Sequence, residues 1–322
     1  MSTKLISVII ITFNQDRFIS RALDSVISQK NIENIEIIIG NDCSDDSTDL
    51  ILSNYKKKYS SLINIISRRQ NLGPSKNLHD LICIANGEYI AILEGDDYWT
   101  DPFKLSKQIK FLNDNRSHVA CTHRYSLVDE HNNIIQSEYY GPGKPDTGVY
   151  TLKHFENYTY FSHLGSLVFR NVFKSNDVDL SIIKNAHYYI ADITINMLLC
   201  FFGKIEILDD NMLATTFLIK KNGTNYKSSI KKYNQIMSRI IYLDTLKDFA
   251  KNFFHYDLKF KNRNEYYVAW SILYLLRYPN KHNLKVLLFT YNRNKNKFIL
   301  FLYLMRNSHK LIGIILKKLL AR

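Results

Sequence analysis
The sequence predicts an α/β fold, a doubly wound and mostly parallel sheet followed by a basic helical extension, and three features carry that expectation. Leu5–Ile11, Ile35–Ile39 and the run from Glu88 to Glu94 are near-continuous aliphatic stretches, the pattern of strands buried on both faces. Each releases polar side chains at its carboxyl end: Thr12-Phe13-Asn14, then Asn41-Asp42-Cys43-Ser44-Asp45-Asp46-Ser47, then Glu94-Gly95-Asp96-Asp97 before the aromatic pair Tyr98-Trp99. Between these runs the apolar residues recur at helical spacing, so strand and helix alternate. In open sheets of this kind a ligand sits outside the carboxyl ends of the strands. Adjacent carboxylates at a strand exit repel one another and are best tolerated where a divalent cation shares them.

The elements follow in order. Phe18, Ile19, Ala22, Leu23, Val26 and Ile27 fall on one helical face. A second helix over 47–59, a strand over 63–66 and a helix over 74–85, stopped by Asn86-Gly87, lead to the strand 88–94. Residues 1–100 thus read as a nucleotide-binding half. Asp101-Pro102 then opens a helix reaching about Asn113, and residues 119–135 form a hairpin turning at Asn132-Asn133. The loop 139–148, with two prolines and three glycines, is expected to be a mobile flap. A strand over 166–169, a helix over 188–202 stopped by Gly203 and a strand over 205–208 complete a second half, 101–223, which the resemblance described below makes the acceptor half. Residues 224–322 read as a helical appendage broken at Tyr278-Pro279-Asn280.

The net charge of +13 is unevenly placed: residues 1–219 carry 21 Lys+Arg against 26 Asp+Glu, and residues 220–322 carry 22 against 4. Such an end is suited to an anionic partner, a membrane leaflet or a nucleic acid. Phe298–Met305 and Leu311–Leu316, bordered by Arg306, Lys310, Lys317, Lys318 and Arg322, form short amphipathic segments for a membrane interface, or else core or dimer helices. A nucleic-acid partner is not expected, because no recognition-helix or zinc motif accompanies the charge. Cys43, Cys83, Cys121 and Cys200 lack paired spacing and are expected to be free thiols, most of them buried. No run approaches the roughly 18–20 apolar residues of a membrane span, and no leader pattern opens the chain, so a cytoplasmic, peripherally membrane-bound enzyme is expected.

Five motifs in order, Ile11–Asn14, Asn41–Ser47, Asn71-Leu72-Gly73-Pro74-Ser75-Lys76-Asn77, Glu94–Trp99 and Ala191-Asp192, resemble the family 2 glycosyltransferases of the GT-A fold over about residues 5–220. The resemblance implies that Thr12, Phe13 and Asn14 line a nucleotide pocket and that Asp42 accepts a hydrogen bond from the base. It implies that Lys76 and Asn77 lie near the donor's phosphates or sugar, unless they sit on a solvated helix surface. Asp97 becomes the direct ligand of Mn2+ or Mg2+, and Asp96 shares that metal or meets the ribose or sugar. Trp99 either stacks on a sugar ring or packs in the core. Asp192 becomes the general base, although the position also suits a helix N-cap and His187 or His163 could compete for the role. The chain departs from the family at Ala191, where an acidic residue or Gly is usual. It departs again at Thr216–Gly223, where Lys220 and Lys221 replace an aromatic-Arg pair and a His.

The expected reaction is inverting transfer of a sugar from a nucleotide-diphosphate donor, UDP foremost, to a hydroxyl of a glycan or lipid-linked acceptor in surface polysaccharide synthesis. Oligomers are compatible with it. A nucleotidyltransferase would also use carboxylates and a metal, but it would be expected to carry a Gly-rich, basic phosphate loop after the first strand, and Thr12–Asp16 contains no glycine.

Overall fold
Strand β1 (Ile6–Thr12) pairs in parallel with β2 (Ile35–Asn41) on one side and β4 (Tyr89–Glu94) on the other, and β2 pairs in parallel with β3 (Ile63–Ser67). Every residue of β1 is buried, and Tyr89–Leu93 are sealed completely, which is why these strands show no polar alternation. Helix α1 (Ile19–Ile27) contributes Ile19, Ala22, Leu23 and Val26 to the core, and α2 (Thr48–Lys58) contributes Leu52. Helix α3 (Pro74–Ile84) buries Leu78, Leu81 and Ile82. The computed structural model describes residues 5–139, 147–157, 162–216, 235–260, 263–277, 280–293 and 305.

The sheet order β3-β2-β1-β4 means that the chain winds outward from β1 and then returns to its other side. The crevice between β1 and β4 is therefore the switch point where a ligand binds. Register brings the polar strand ends together there: Ile11 pairs with Glu94, and Thr12 with Asn41. Beyond β4 the sheet turns mixed. Strand β5 (Tyr98–Trp99), α4 (Lys104–Asp114), β6 (His118–Val128), β7 (Ile134–Tyr139), β8 (Gly148–Tyr150) and α5 (Leu152–Asn157) follow in the chain. Then come β9 (Val168–Arg170), α6 (Val172–Ser175), α7 (Ser181–Asn185), α8 (Asp192–Phe202) and β10 (Lys204–Thr216). Strand β9 lies antiparallel between β4 and β6, and β10 runs parallel to β6 while taking β5 and β8 antiparallel.

Several elements differ from the sequence reading. Strand β10 continues to Thr216 instead of ending near Leu208, because Asp209 and Asp210 sit at a register shift that hides the apolar run Met212–Ala214. Helix α8 starts at Asp192 and not at Tyr188, because His187 Nδ1 accepts the backbone N–H groups of Tyr189 and Ile190 and holds a non-helical turn. Strands β5 and β8 and the short helices α5, α6 and α7 are absent from that reading. The expected flap falls largely on residues 140–146, outside the described residues, as do Lys220, Lys221 and the two amphipathic segments near the end, Met305 apart. Among the cysteines Cys121 and Cys200 are buried, Cys83 is exposed and all four are free thiols.

The chain divides into two compact units, Met1–Lys221 and Asn222–Arg322. In the second, α9 (Gln235–Phe254), α10 (Arg263–Arg277) and α11 (Lys281–Arg293) bury Tyr242, Leu246, Ala250, Val268 and Val286. No helix among the described residues is long and apolar enough to cross a membrane.

Candidate active site
The exit of β4 is a tight turn. Gly95 N–H donates to Ile11 O at 2.9 Å, and Asp97 N–H donates back to Glu94 O at 3.0 Å, a four-residue turn that turns Glu94 and Asp97 to one side. Gly95 admits the β1–α1 loop at close range: a Cβ there would lie 2.4 Å from Gln15 Oε1 and 2.9 Å from Thr12 Oγ1. Opposite the turn stands His163, whose Nε2 lies 3.4 Å from Glu94 Oε2 and 3.7 Å from Asp97 Oδ2. One ligand atom each from Glu94, Asp97 and His163 fall within 4.8 Å of one another. Asp96, expected to share the metal with Asp97 or to meet the ribose or sugar, is not part of this trio, which includes Glu94.

The electrostatics are those of a site short of positive charge. Burial, then the charge of Asp192, pushes Glu94 up to about 7. Burial and Glu94 push Asp96 up to about 6, and burial with Asp96 and Glu94 holds Asp97 well above the usual carboxylate range. Burial lowers His163 to about 4 despite Asp192 and Asp96, so its ring is neutral at pH 7. Its Nδ1 accepts the Gly165 N–H at 3.2 Å, which leaves the proton on Nε2, facing the carboxylates.

These residues fit a divalent cation. Asp97 Oδ1 accepts the Thr216 N–H at 2.9 Å, but the buried Oδ2 has no hydrogen-bond partner among the described residues. Such an oxygen among elevated carboxylates is what a cation relieves. Asp97 and Glu94 are ready as ligands, whereas His163 would have to exchange its tautomer, giving up the Gly165 bond.

The other sequence candidates divide. Thr12 is buried with its Oγ1 lacking a partner among the described residues, and Phe13, 44% exposed, stands at the mouth of the crevice. Asn14, at φ 53°, fastens the first loop to the second: its N–H donates to Ser44 Oγ, and its Oδ1 accepts Asp45 N–H. Asp42 is 3% exposed, and its two oxygens accept the N–H groups of Leu72 and Gly73 at 2.8 and 2.9 Å, so any base contact must use a second lone pair. Asn77 is a correction: it is buried and donates to Gly40 O at 2.9 Å, fixing α3 to β2, and a Cβ at position 40 would collide with it. Lys76 is exposed. Of the two readings of Trp99, the structure takes the core position over the sugar contact. Its ring packs in the core, and its Nε1 donates to Gly165 O at 2.8 Å, holding the turn that carries His163. Asp192 heads α8, close enough to raise Glu94 and to oppose the lowering of His163.

Two residues emerge only in three dimensions. Arg21 lies over the Tyr98 ring at 4.0 Å and donates to Asp96 O and to Thr216 Oγ1, supplying positive charge beside the acidic turn. Thr216 closes the same corner through Asp97. Neither carries a local sequence signal, since the contacts span 75 to 195 residues.

Residues 7–176, just over half of the chain, match the profile of Glycosyl transferase family 2. The chain belongs to this family. The family 2 glycosyltransferase is 27% identical to an uncharacterised glycosyltransferase of Methanocaldococcus jannaschii over 80% of its own length and 83% of the relative's. It is 38% identical to a poly(ribitol-phosphate) beta-glucosyltransferase of Bacillus spizizenii, over 36% of its own length and 18% of that protein. A Mycobacterium tuberculosis protein is 40% identical over 38% of this chain, which spans about a third (36%) of that relative's length. Among solved structures, S. aureus TarS residues 1–349 in complex with UDP-GlcNAc superimposes with a TM-score of 0.60 at 18% identity, over 88% of this chain and 79% of that one. The likeness establishes the shared GT-A fold, as the sequence resemblance implied.

Proposed function
We propose that this glycosyltransferase moves a sugar from a nucleotide-diphosphate donor, UDP foremost, to a hydroxyl of a glycan or lipid-linked acceptor, with inversion, in the building of a surface polysaccharide. The observation that carries the reading is the acidic turn at the β1/β4 switch point, with Asp97 Oδ2 lacking a partner among the described residues and Asp192 near Glu94. Thr12, Phe13 and Asn14 line the nucleotide side of the crevice, with Asp42 behind them and Lys76 toward the phosphates. Asp97 and Glu94 would hold Mn2+ or Mg2+, and Asp96 would serve the ribose or sugar. When bound, the cation offsets the charge of the departing diphosphate. Asp192 takes the proton from the acceptor hydroxyl as that oxygen attacks the anomeric carbon from the face opposite the leaving group. Residues 1–223 are read as the catalytic domain and 224–322 as a basic appendage that meets an anionic membrane surface, where a lipid-linked acceptor is presented.

Fluorescence titration with UDP-sugars, followed by turnover with acceptor, tests the assignment. Asp192→Asn should bind donor with unchanged affinity and lose roughly 10²–10⁴-fold in turnover, the usual contribution of a general base. Full turnover in Asp192→Asn would remove the base from this carboxylate.

A further inference from the structure
We propose that the outward face of the α10–α11 helix pair is a docking surface for an anionic lipid bilayer. In α11 the usual polarity of a helix in water is reversed at several positions. Asn283, Val286 and Thr290 are buried, while Leu284, Leu288 and Tyr291 are 46%, 51% and 44% exposed. In α10 the reversal holds only at Ser271, which is buried along with Tyr267, Val268 and Ala269. Ser271 donates to Tyr267 O and accepts from Thr290 Oγ1 at 3.2 Å, a polar contact between the two helices. Tyr266, Trp270 and Tyr274, spaced by four, are 36%, 47% and 47% exposed. A helix shaped for water places Ser271, Asn283 and Thr290 outside and the exposed Leu, Tyr and Trp side chains inside, and exposed apolar stripes of this kind mark a surface that meets something other than water.

Charge and residue type select the occupant. Residues 263–293 carry Arg263, Arg277, Lys281, Lys285 and Arg293 against Glu265 alone, within a region of 22 basic and 4 acidic residues. Arg263 lies over the Tyr266 ring at 5.9 Å from its centroid. Tyr and Trp seat at the headgroup level of a bilayer, and Lys and Arg beside them meet anionic headgroups. A second copy would press the same cationic face against itself, which like charges oppose. The inference rests on reading the basic region as a membrane contact and is independent of the transfer chemistry.

The chain's two tryptophans make the test specific. Trp99 is buried in the core of the other unit, so a lipid-induced change in emission arises from Trp270. The full-length protein is mixed with vesicles of phosphatidylcholine alone and of phosphatidylglycerol with phosphatidylcholine. Expected are flotation with the anionic vesicles only, a blue shift, and loss of acrylamide quenching. Trp270→Ser/Leu288→Ser, two exposed positions, should keep its circular dichroism and bind anionic vesicles about tenfold more weakly. If the wild-type protein stays with the pellet of unbound protein, the membrane reading falls. If it floats and the double variant floats equally well, the bilayer is met elsewhere and this face is wrongly assigned. If Trp270 is shielded from acrylamide before lipid is added, protein already covers the face and the proposal is overturned.

Discussion

At the scale of single residues, the site trades stability for affinity through Asp97. Its Oδ1 holds Thr216, while its Oδ2 stands buried beside Glu94 and Asp96 without a compensating hydrogen bond among the described residues. Asp97→Asn keeps the Thr216 contact and removes one charge. Without metal the variant should be more stable than wild type by about 1 kcal/mol, or ~2–4 °C in thermal unfolding, and the Mn2+-induced rise in melting temperature should vanish. A variant that melts below wild type in chelator and still responds to Mn2+ contradicts the assignment. Lys104 poses the opposite problem: fully buried, its Nζ donates to Gln108 Oε1 at 2.7 Å, and burial pushes its pKa down to about 7. The Trp99 ring, 4.3 Å from Nζ, favours the cation and works against that shift. Between about pH 7 and the ordinary 10.5 the unfolded chain binds the proton that the folded chain has released, so stability rises with pH across that window. Lys104→Met should lose this rise, its advantage over wild type shrinking by ~2–4 kcal/mol from pH 7 to pH 10 in urea titrations. Equal pH slopes in the two proteins would show Lys104 charged in the fold.

At the scale of elements, what the sequence made legible was whatever is buried on both faces or adjacent along the chain. Strands β1, β2 and β4 read as aliphatic runs, and their polar exits marked the crevice, because the parallel register aligns carboxyl ends automatically. The Glu94–Asp97 turn was visible for the same reason. In the sequence His163 is legible only as a rival base, since its approach to the turn depends on Trp99 Nε1 reaching Gly165, 66 residues away. Strand β10 was half seen, its charged middle concealing the end that pairs with β5. Asn77 shows how a motif residue can be read for the wrong work: on α3 it faces the sheet, with its Oδ1 2.3 Å from where a Gly40 Cβ would stand. Asn77→Ala should therefore cost about 1–3 kcal/mol in chemical denaturation, the penalty of a lost buried hydrogen bond, while donor affinity stays within twofold. Loss of donor binding without loss of stability would return Asn77 to the donor site.

At the scale of the whole molecule, the charge division coincides with a division of cores. The unit Met1–Lys221 carries the acidic turn and Trp99, and the unit Asn222–Arg322 carries most of the basic excess and Trp270. Each has its own buried apolar cluster, so each is expected to unfold as its own cooperative element. Trp270→Phe leaves Trp99 as the sole indole, a reporter of the catalytic unit, while far-UV circular dichroism follows both. A ligand bound to one folded unit stabilises that unit alone, by about 2.7 kcal/mol at a hundred times its dissociation constant. UDP with Mn2+ should therefore move the Trp99 fluorescence transition to higher urea and leave the remaining dichroism transition of the helical unit in place. A single transition that shifts as one in both signals would show that the two units share one folding equilibrium. An unmoved Trp99 signal at saturating UDP would place the nucleotide outside the β1/β4 crevice.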